Sequence, residues 1–315
     1  MKQLILSVVF CTSIQGKEAV WQRIPDEVCY DEACYLTSHN SYASRDYGYL
    51  YAQQNHSFKK QLALGVRAFK LSIALENGEM VLCHKAPTVT RILSRGKDPM
   101  PLKNALHIMK KFLDENPDEV ITIFLETYIR QPHDLIDKPF KETRLADLTL
   151  KPGDWNFPER RWPTFSWMRS HNKRLLIFNC LESTELCFNQ WEHIVENQWG
   201  TTHPAKACKE RSQSKNYSDY ARTLCFLNFF PMVKLSFDNA YQAINTQQLD
   251  DFMARFHTYG FNAKVRKGTQ KQPTSKRVIP TFLCLDYVDI GNGLAHVMTI
   301  NTLSRHKTQK NVPFL

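Results

Sequence analysis

The sequence predicts an α/β barrel built as a single domain, and three observations lead there. Seven short apolar runs of strand length are spread along the chain, amphipathic helical stretches lie between several of them, and no Pro/Gly/Ser-rich linker divides it. At 315 residues, two domains of roughly 150 would also fit, but one barrel of roughly 250 residues or more holds seven strands without a boundary. The 43% apolar content, with aromatic residues throughout, excludes a disordered or fibrous chain, and nine cysteines are too few for a small disulfide scaffold. A formal charge of +10 favours anionic partners without choosing among phosphate esters, acidic lipids and nucleic acid.

The chain opens with Lys2 and a short apolar run from Leu4 to Phe10, followed by small and polar residues. That run falls short of the ~20 residues a membrane span needs and has the layout of a secretory signal, expected over 1–19, with a buried first strand as the alternative. No later stretch reaches ~18 uncharged apolar residues, so residues 20–315 are expected to contain no transmembrane segment. In an exported chain the local pairs Cys29/Cys34, Cys180/Cys187 and Cys208/Cys225 are natural disulfide candidates. Cys83 and Cys284 sit inside apolar runs and read as buried thiols.

Buried strands are expected at 33–38, 66–73, 80–83, 120–125, 174–179, 223–228 and 281–287. Between the third and fourth, Leu102, Ala105, Leu106, Met109, Phe112 and Leu113 share one helical face and Pro117 closes it. A second helix is expected over 240–260, stopping at Gly260. The stretch 131–163 carries Pro132, Pro139, Pro152, Pro158 and Pro163 among charged residues and reads as a long loop.

Barrels of this class place their active sites at the carboxyl ends of the strands. The first run ends in His39 and Asn40, the third in His84, the fourth in Glu126 and the last in Asp286. Any one of these is weak evidence, since eleven histidines are scattered over the chain; the conjunction carries the weight. Two imidazoles at a barrel mouth suit a general base and a general acid, each contributing ~10²–10⁴-fold, and Asp286 can fix the tautomer of one. Asn40 and Lys70 can bind the oxygens of a phosphodiester. If Lys70 faces inward, so do Val66, Ala68 and Ser72, while Arg67, Phe69 and Leu71 face outer helices and Arg67 reads as a structural ion-pair residue. An inward ammonium requires anions, and Glu126 and a substrate phosphate are available; the alternative is a Lys70 that reaches past the rim to water.

The segments SHNSYA, QLALGVRAFKLSI, LCH and FLDENPDEVITIFLETY resemble the X-domain of phosphatidylinositol-specific phospholipase C, most closely the secreted PLC-like phosphodiesterases of plants, fungi and bacteria. The likeness continues through RWPTFSWM, NKRLLIFN, WEHIVENQWG, RTLCFLNFFP and TFLCLDYV, giving an X-domain-like core of about 33–290. The resemblance implies a distorted, partly open TIM-type β/α barrel. It implies a phosphoric diester hydrolase acting on a phospholipid, phosphatidylinositol first among candidates, through a cyclic inositol phosphate. His39 then matches the base acting on the inositol 2-hydroxyl, His84 the acid protonating the departing oxygen, and Asp286 the carboxylate orienting the base. Asn40 and Glu126 stand where calcium-dependent members place two metal ligands. Those members carry acidic ligands on the second strand where this chain has Lys70 and Ser72, and calcium-independent bacterial members have Arg at the Ser72 position. An ammonium in the shell of a hard divalent ion repels it, so the expectation is no metal cofactor, with Lys70 supplying the positive charge and calcium (Ca2+) as the alternative.

The other reading is a catalytically weak or silent barrel that binds anionic lipid headgroups, if Lys70 only neutralises Glu126. A nucleic-acid partner is not expected, because no helix-turn-helix, RNP or zinc-finger pattern is present. Between Asp251 and Asp286 there is no acidic residue, and Arg255, Lys264, Arg266, Lys267, Lys271, Lys276 and Arg277 fall there. This is either a solvated loop or a contact for a peripheral anionic membrane surface, where each basic residue contributes ~1 kcal/mol. The leader implies secretion or export, to a periplasm, the exterior or a host.

Overall fold

The computed structural model describes residues 20–127, 132–156, 161–203, 210–214, 224–231, 238–259 and 280–310. All seven expected runs form strands, joined by three short ones: β1 (Tyr35–Ser38), β2 (Ala68–Glu76), β3 (Glu79–Leu82), β4 (Met100–Pro101), β5 (Ile121–Thr127), β6 (Leu175–Asn179), β7 (Phe188–Asn189), β8 (Ile194–Glu196), β9 (Leu224–Phe229) and β10 (Phe282–Leu285). They form one sheet in the order β7-β6-β5-β2-β1-β10-β9-β8, parallel throughout, with β3 antiparallel on β2 and β4 antiparallel on β3. The two ends of this path, β7 and β8, are joined by the single helical turn Gln190–His193 rather than by strand hydrogen bonds. The barrel is therefore partly open at that seam, and Trp162, Phe178 and Phe188 close around the His193 ring there. Burial among these rings lowers the His193 pKa.

Strand alternation sorts two cores. Tyr35, Ala68, Phe124, Leu176, Phe178, Phe226, Phe282 and Cys284 fill the barrel. Phe124 meets both Phe226 and Phe282 edge-on at 4.8 Å, so the lower barrel is an aromatic plug. Leu36, Phe69, Leu71, Ile73, Ile121, Ile123 and Leu125 face outward onto the helices Phe58–Ala63 and Leu102–Glu115. Arg67 does serve structure: it grips Glu119 through Nε at 2.8 Å and Nη2 at 3.1 Å and lies over the Trp21 and Phe112 rings. Val66 is a correction. It packs with the outer core, because it precedes the strand, which starts at Ala68, and the alternation does not reach back to it.

Other expectations change as well. Within 131–163 there is a helix, His133–Glu142, and a 3₁₀ turn, Ala146–Leu148. Burial of Ile136 and Phe140 in the outer core outweighs the hydrogen bond that Pro139 removes. The disulfide pairs Cys29/Cys34 and Cys180/Cys187 are not formed. The Cys180 thiol instead engages the Thr127 backbone and the Cys187 thiol points to Asp137, so their partners lie on different elements. Cys83 and Cys284 are buried, and burial pushes the Cys83 thiol up to about 11. Cys208, the expected leader and the basic residues 264–277 lie outside the described residues. A helix that the sequence did not announce, Gly293–Lys310, lies against β1, where Asn301 bonds the Cys34 backbone at 2.7 and 3.0 Å. Among the described residues no helix is long and apolar enough to cross a membrane.

The expected helix 240–260 is interrupted by a π-helical turn, Ile244–Gln248, between Asp238–Ala243 and Leu249–Tyr259. The turn brings Asn245 onto the backbone carbonyls of Asp286 at 2.8 Å and Tyr287 at 3.2 Å. Gly291, at φ +80°, lies so close to the Asn245 carbonyl that a Cβ would collide with it. Gly291→Ala is expected to lower stability in urea by roughly 1–3 kcal/mol, from the left-handed backbone alone, and more from the collision; an unchanged midpoint would show that the Asn245 contact does not constrain this corner.

Candidate active site

Sheet register gathers the candidate residues at the carboxyl end of the barrel. Ser38 is level with Phe69 on β2 and with Leu285 on β10, so the next residues, His39, Lys70 and Asp286, form one layer. Ser72 is level with Glu126. Two connections then approach the same edge of β2 from opposite directions: Ser41 donates its N–H to Lys70 O, and Cys83 donates to Ser72 O. These carbonyls are two residues apart, about 7 Å along a strand. The turn carrying His39 and Asn40 and the β3 end carrying His84 are thus neighbours across the top of β2. His84 is pinned from behind, its N–H donating to Thr90 Oγ1 at 3.0 Å in the helix Pro87–Leu93.

His39 is the best-held of these side chains. Its Nδ1 lies 2.8 Å from Asp286 Oδ1, its ring stacks on Phe230 at 3.8 Å and 7°, and only 12% of the side chain is exposed. Asp286 is itself buried and receives the Tyr241 hydroxyl on its other oxygen at 3.3 Å. A carboxylate on Nδ1 places the proton there and leaves the lone pair on Nε2, the atom a general base uses. Gln54 clamps the strand ends, donating to the carbonyls of His39 at 2.9 Å and Leu285 at 3.1 Å. Asn40, at φ +42°, turns its side chain down into the barrel, where its amide lies 2.8 Å from that of Gln53 and 3.1 Å from Ser72 Oγ.

Lys70 points inward as expected, and it is buried. Its Nζ lies 3.4 Å from Glu196 Oε1, 3.9 Å from Glu126 Oε1 and 5.6 Å from the Phe226 ring centroid. Burial alone would lower its pKa; the Glu196 and Glu126 carboxylates outweigh burial and raise it. For Glu126, burial opposes ionisation, but the Lys70 charge and the Ser72 hydroxyl, at 2.9 Å, hold its carboxyl below the ordinary range. Glu196 is fully buried and accepts four side chains: Lys70, Asn228 at 2.7 Å, Gln190 at 3.2 Å and Arg211 at 2.8 Å. It ties the seam helix, the β8–β9 connection and β9 to β2 across the barrel. Arg211 in turn lies over the Trp191 ring at 5.2 Å.

The family model described as PI-PLC X 1 matches residues 27–301. The chain belongs to the PI-PLC X family. A PI-PLC X domain-containing protein of Arabidopsis thaliana is 26% identical over 213 residues, covering 64% of this chain and 49% of that protein, so the chain spans about half the length of that relative. Among solved structures, a phosphatidylinositol-specific phospholipase C from Listeria monocytogenes superposes with a TM-score of 0.53 at 14% identity, over 89% of this chain and 96% of the other. One from Staphylococcus aureus gives 0.54 at 12% identity, over 89% and 94%. Likeness at these identities establishes the fold alone: the α/β barrel of those proteins.

The calcium position that the PI-PLC X resemblance implies can be tested against the donors present. Asn40, Ser72 and Glu126 converge, offering one carboxylate and two neutral groups. The Lys70 ammonium stands 3.9 Å from that carboxylate. A calcium ion takes six to eight oxygens, usually with several carboxylates, and is repelled by a fixed cation in its shell. Among the described residues no group of three or more His, Cys, Asp or Glu side chains could hold a metal. The donor set does not fit calcium.

Sequence reasoning missed Glu196, Arg211, Gln53 and Phe230. The available signal for Glu196 was a carboxylate closing a short β-branched run, IVE. Glu196→Gln, which leaves Lys70 with half of its counter-charge in the interior, is expected to cost about 3–5 kcal/mol in urea unfolding, and adding Lys70→Met should recover part of it. The pH dependence follows from the shift directions. The raised Lys70 pKa makes its contribution complete below the ordinary 10.5 and lost only as pH climbs through the higher value. The lowered Glu126 pKa makes its contribution complete above 4.5 and lost as pH falls through the lower value. The stability gap between wild type and Lys70→Met should therefore be flat between those limits and narrow below pH 4.5; a gap that widens in acid contradicts the pairing.

Proposed function

We propose that the protein is a phosphodiesterase that cleaves a phospholipid headgroup, with phosphatidylinositol as first candidate substrate. The observation that carries this reading is the His39–Asp286 pair at the barrel mouth, with Asp286 buried on Nδ1 and the His39 ring stacked on Phe230. His39 Nε2 takes the proton of the inositol 2-hydroxyl, and that oxygen attacks phosphorus in line with the glycerol oxygen. As the P–O bond to glycerol breaks, His84 gives its proton to the departing oxygen, leaving a cyclic phosphate and a neutral diacylglycerol. In this reading the route uses no metal, and Lys70 acts by fixing Glu126 and the floor of the site.

Lipid-facing use is supported by the rim. Leu50 and Tyr51 follow β1, Ile92 follows β3, Leu181 follows β6 and Trp199 follows β8; all are exposed, Ile92 to 74%. Apolar side chains around a mouth, with basic residues nearby in the sequence, suit a peripheral anionic membrane surface and delivery by export. One observation favours the second reading, a weak or silent headgroup-binding barrel: the Lys70 and Arg211 charges are balanced by Glu126 and Glu196.

A panel of phospholipid vesicles, assayed with and without chelator by phosphorus NMR, tests these readings. Cyclic phosphate should appear in both conditions and fall by ~10²–10⁴-fold in His39→Ala while vesicle binding persists. Binding without turnover would establish the silent barrel, and loss of turnover with chelator would overturn the metal-free route.

A further inference from the structure

A continuous line of polar contacts runs behind the base from β10 to β5. Asp286 Oδ1 lies 2.8 Å from His39 Nδ1, and the Gln53 amide is 3.1 Å from the same nitrogen. The Gln53 and Asn40 amides are 2.8 Å apart, Asn40 is 3.1 Å from Ser72 Oγ, and Ser72 Oγ is 2.9 Å from Glu126 Oε2. Protons can be counted along this line. His39 Nδ1 faces a carboxylate and therefore donates. With Gln53 Nε2 turned toward it, two donors meet, and with Asn40 Oδ1 turned toward Ser72, two oxygens claim one hydroxyl proton. Turning both terminal amides through 180°, which leaves the overall side-chain shapes in place, removes both conflicts together. His39 Nδ1–H then also faces Gln53 Oε1, Gln53 Nε2 donates to Asn40 Oδ1, Asn40 Nδ2 donates to Ser72 Oγ, and Ser72 donates to Glu126.

We infer that Gln53 is a positioning residue for the base, and that Gln53, Asn40 and Ser72 form a one-directional hydrogen-bond relay from His39 to Glu126. The backbone of Gln53 is held independently of its side chain: its N–H donates to Ala43 O and its carbonyl accepts Tyr287 N–H, both at 2.7 Å. The side chain is thus buried and presented at a fixed place. A second acceptor on Nδ1–H holds the ring plane and tautomer more firmly than Asp286 alone, and it stabilises the imidazolium as His39 takes a proton. The relay also makes the geometry at His39 depend on Ser72, on the neighbouring strand β2. The catalytic role of His39 rests on the function proposed above; the relay itself does not.

Imidazole proton–nitrogen NMR, assigned against His39→Ala, tests the relay without turnover. Wild type should show His39 protonated on Nδ1 with a slowly exchanging proton. Gln53→Met should speed that exchange roughly tenfold, the worth of one hydrogen bond, and Gln53→Glu, which keeps an acceptor, should restore slow exchange. Ser72→Ala should move the His39 signal in wild type and leave it unmoved in Gln53→Met. A His39 signal indifferent to Gln53→Met, or a Ser72→Ala effect equal in both backgrounds, overturns the relay. Should Gln53→Met fail to fold, Ser72→Ala alone decides, since an unmoved signal overturns it. Where lipid is cleaved, Gln53→Met should lower kcat with KM unchanged. Absence of turnover in wild type would sink the phosphodiesterase reading and leave the NMR outcome standing.

Discussion

A lysine buried inside a barrel is the constraint around which the mouth is organised. The lower barrel is aromatic and cannot solvate an ammonium, so Lys70 must meet anions within reach of its Nζ, and it meets two. One, Glu196, is itself fully buried, and its oxygens need donors; Asn228, Gln190 and Arg211 supply them. Each requirement recruits the next element: β2 requires β8, β8 requires β9 and the seam turn, and the crossover after β8 is drawn in through Arg211. An open seam between β7 and β8 would otherwise leave the last strands tied to the barrel by one edge only. The ion network spans the interior at that place and does there what hydrogen bonds do along the rest of the sheet.

The same network sets the charge at the floor of the candidate site. Two cations and two carboxylates leave its lower layer near neutrality, unlike a divalent ion or an unpaired guanidinium. What the mouth offers beyond charge is preorganisation: the His39 ring, whose plane and depth are set by Asp286, Phe230 and the Gln53 side of the turn, and the His84 turn held at the opposite end of the same stretch of β2, which serve as base and acid in the function proposed above.

Much of this was legible in the residues, for a local reason. Strands buried on both faces read as continuous apolar runs, so all seven were found, and side chains at the ends of such runs point to a barrel mouth whatever the loops do; His39, His84, Glu126 and Asp286 were placed there this way. The shortest strands, β4, β7 and β8, carry two or three residues and no readable pattern. The helix Gly293–Lys310 was missed because its apolar residues form no clear stripe, and His133–Glu142 because prolines masked a buried pair, Ile136 and Phe140. The pairs Cys29/Cys34 and Cys180/Cys187 did not form because closeness in sequence says nothing of the direction in which two thiols point.

The sequence by itself determined the barrel class, the family resemblance and the two directions open to Lys70, inward or past the rim, since period-two alternation and strand-end position are properties of consecutive residues; the structure chose the inward one. Only the tertiary structure decided what Lys70 faces and what holds His39. Glu196 lies 126 positions from Lys70 and Asp286 lies 247 from His39, and strand order in the sheet, together with the closing of the barrel, sets such distances. A buried charge obliges a partner to exist; the fold alone determines which residue it is.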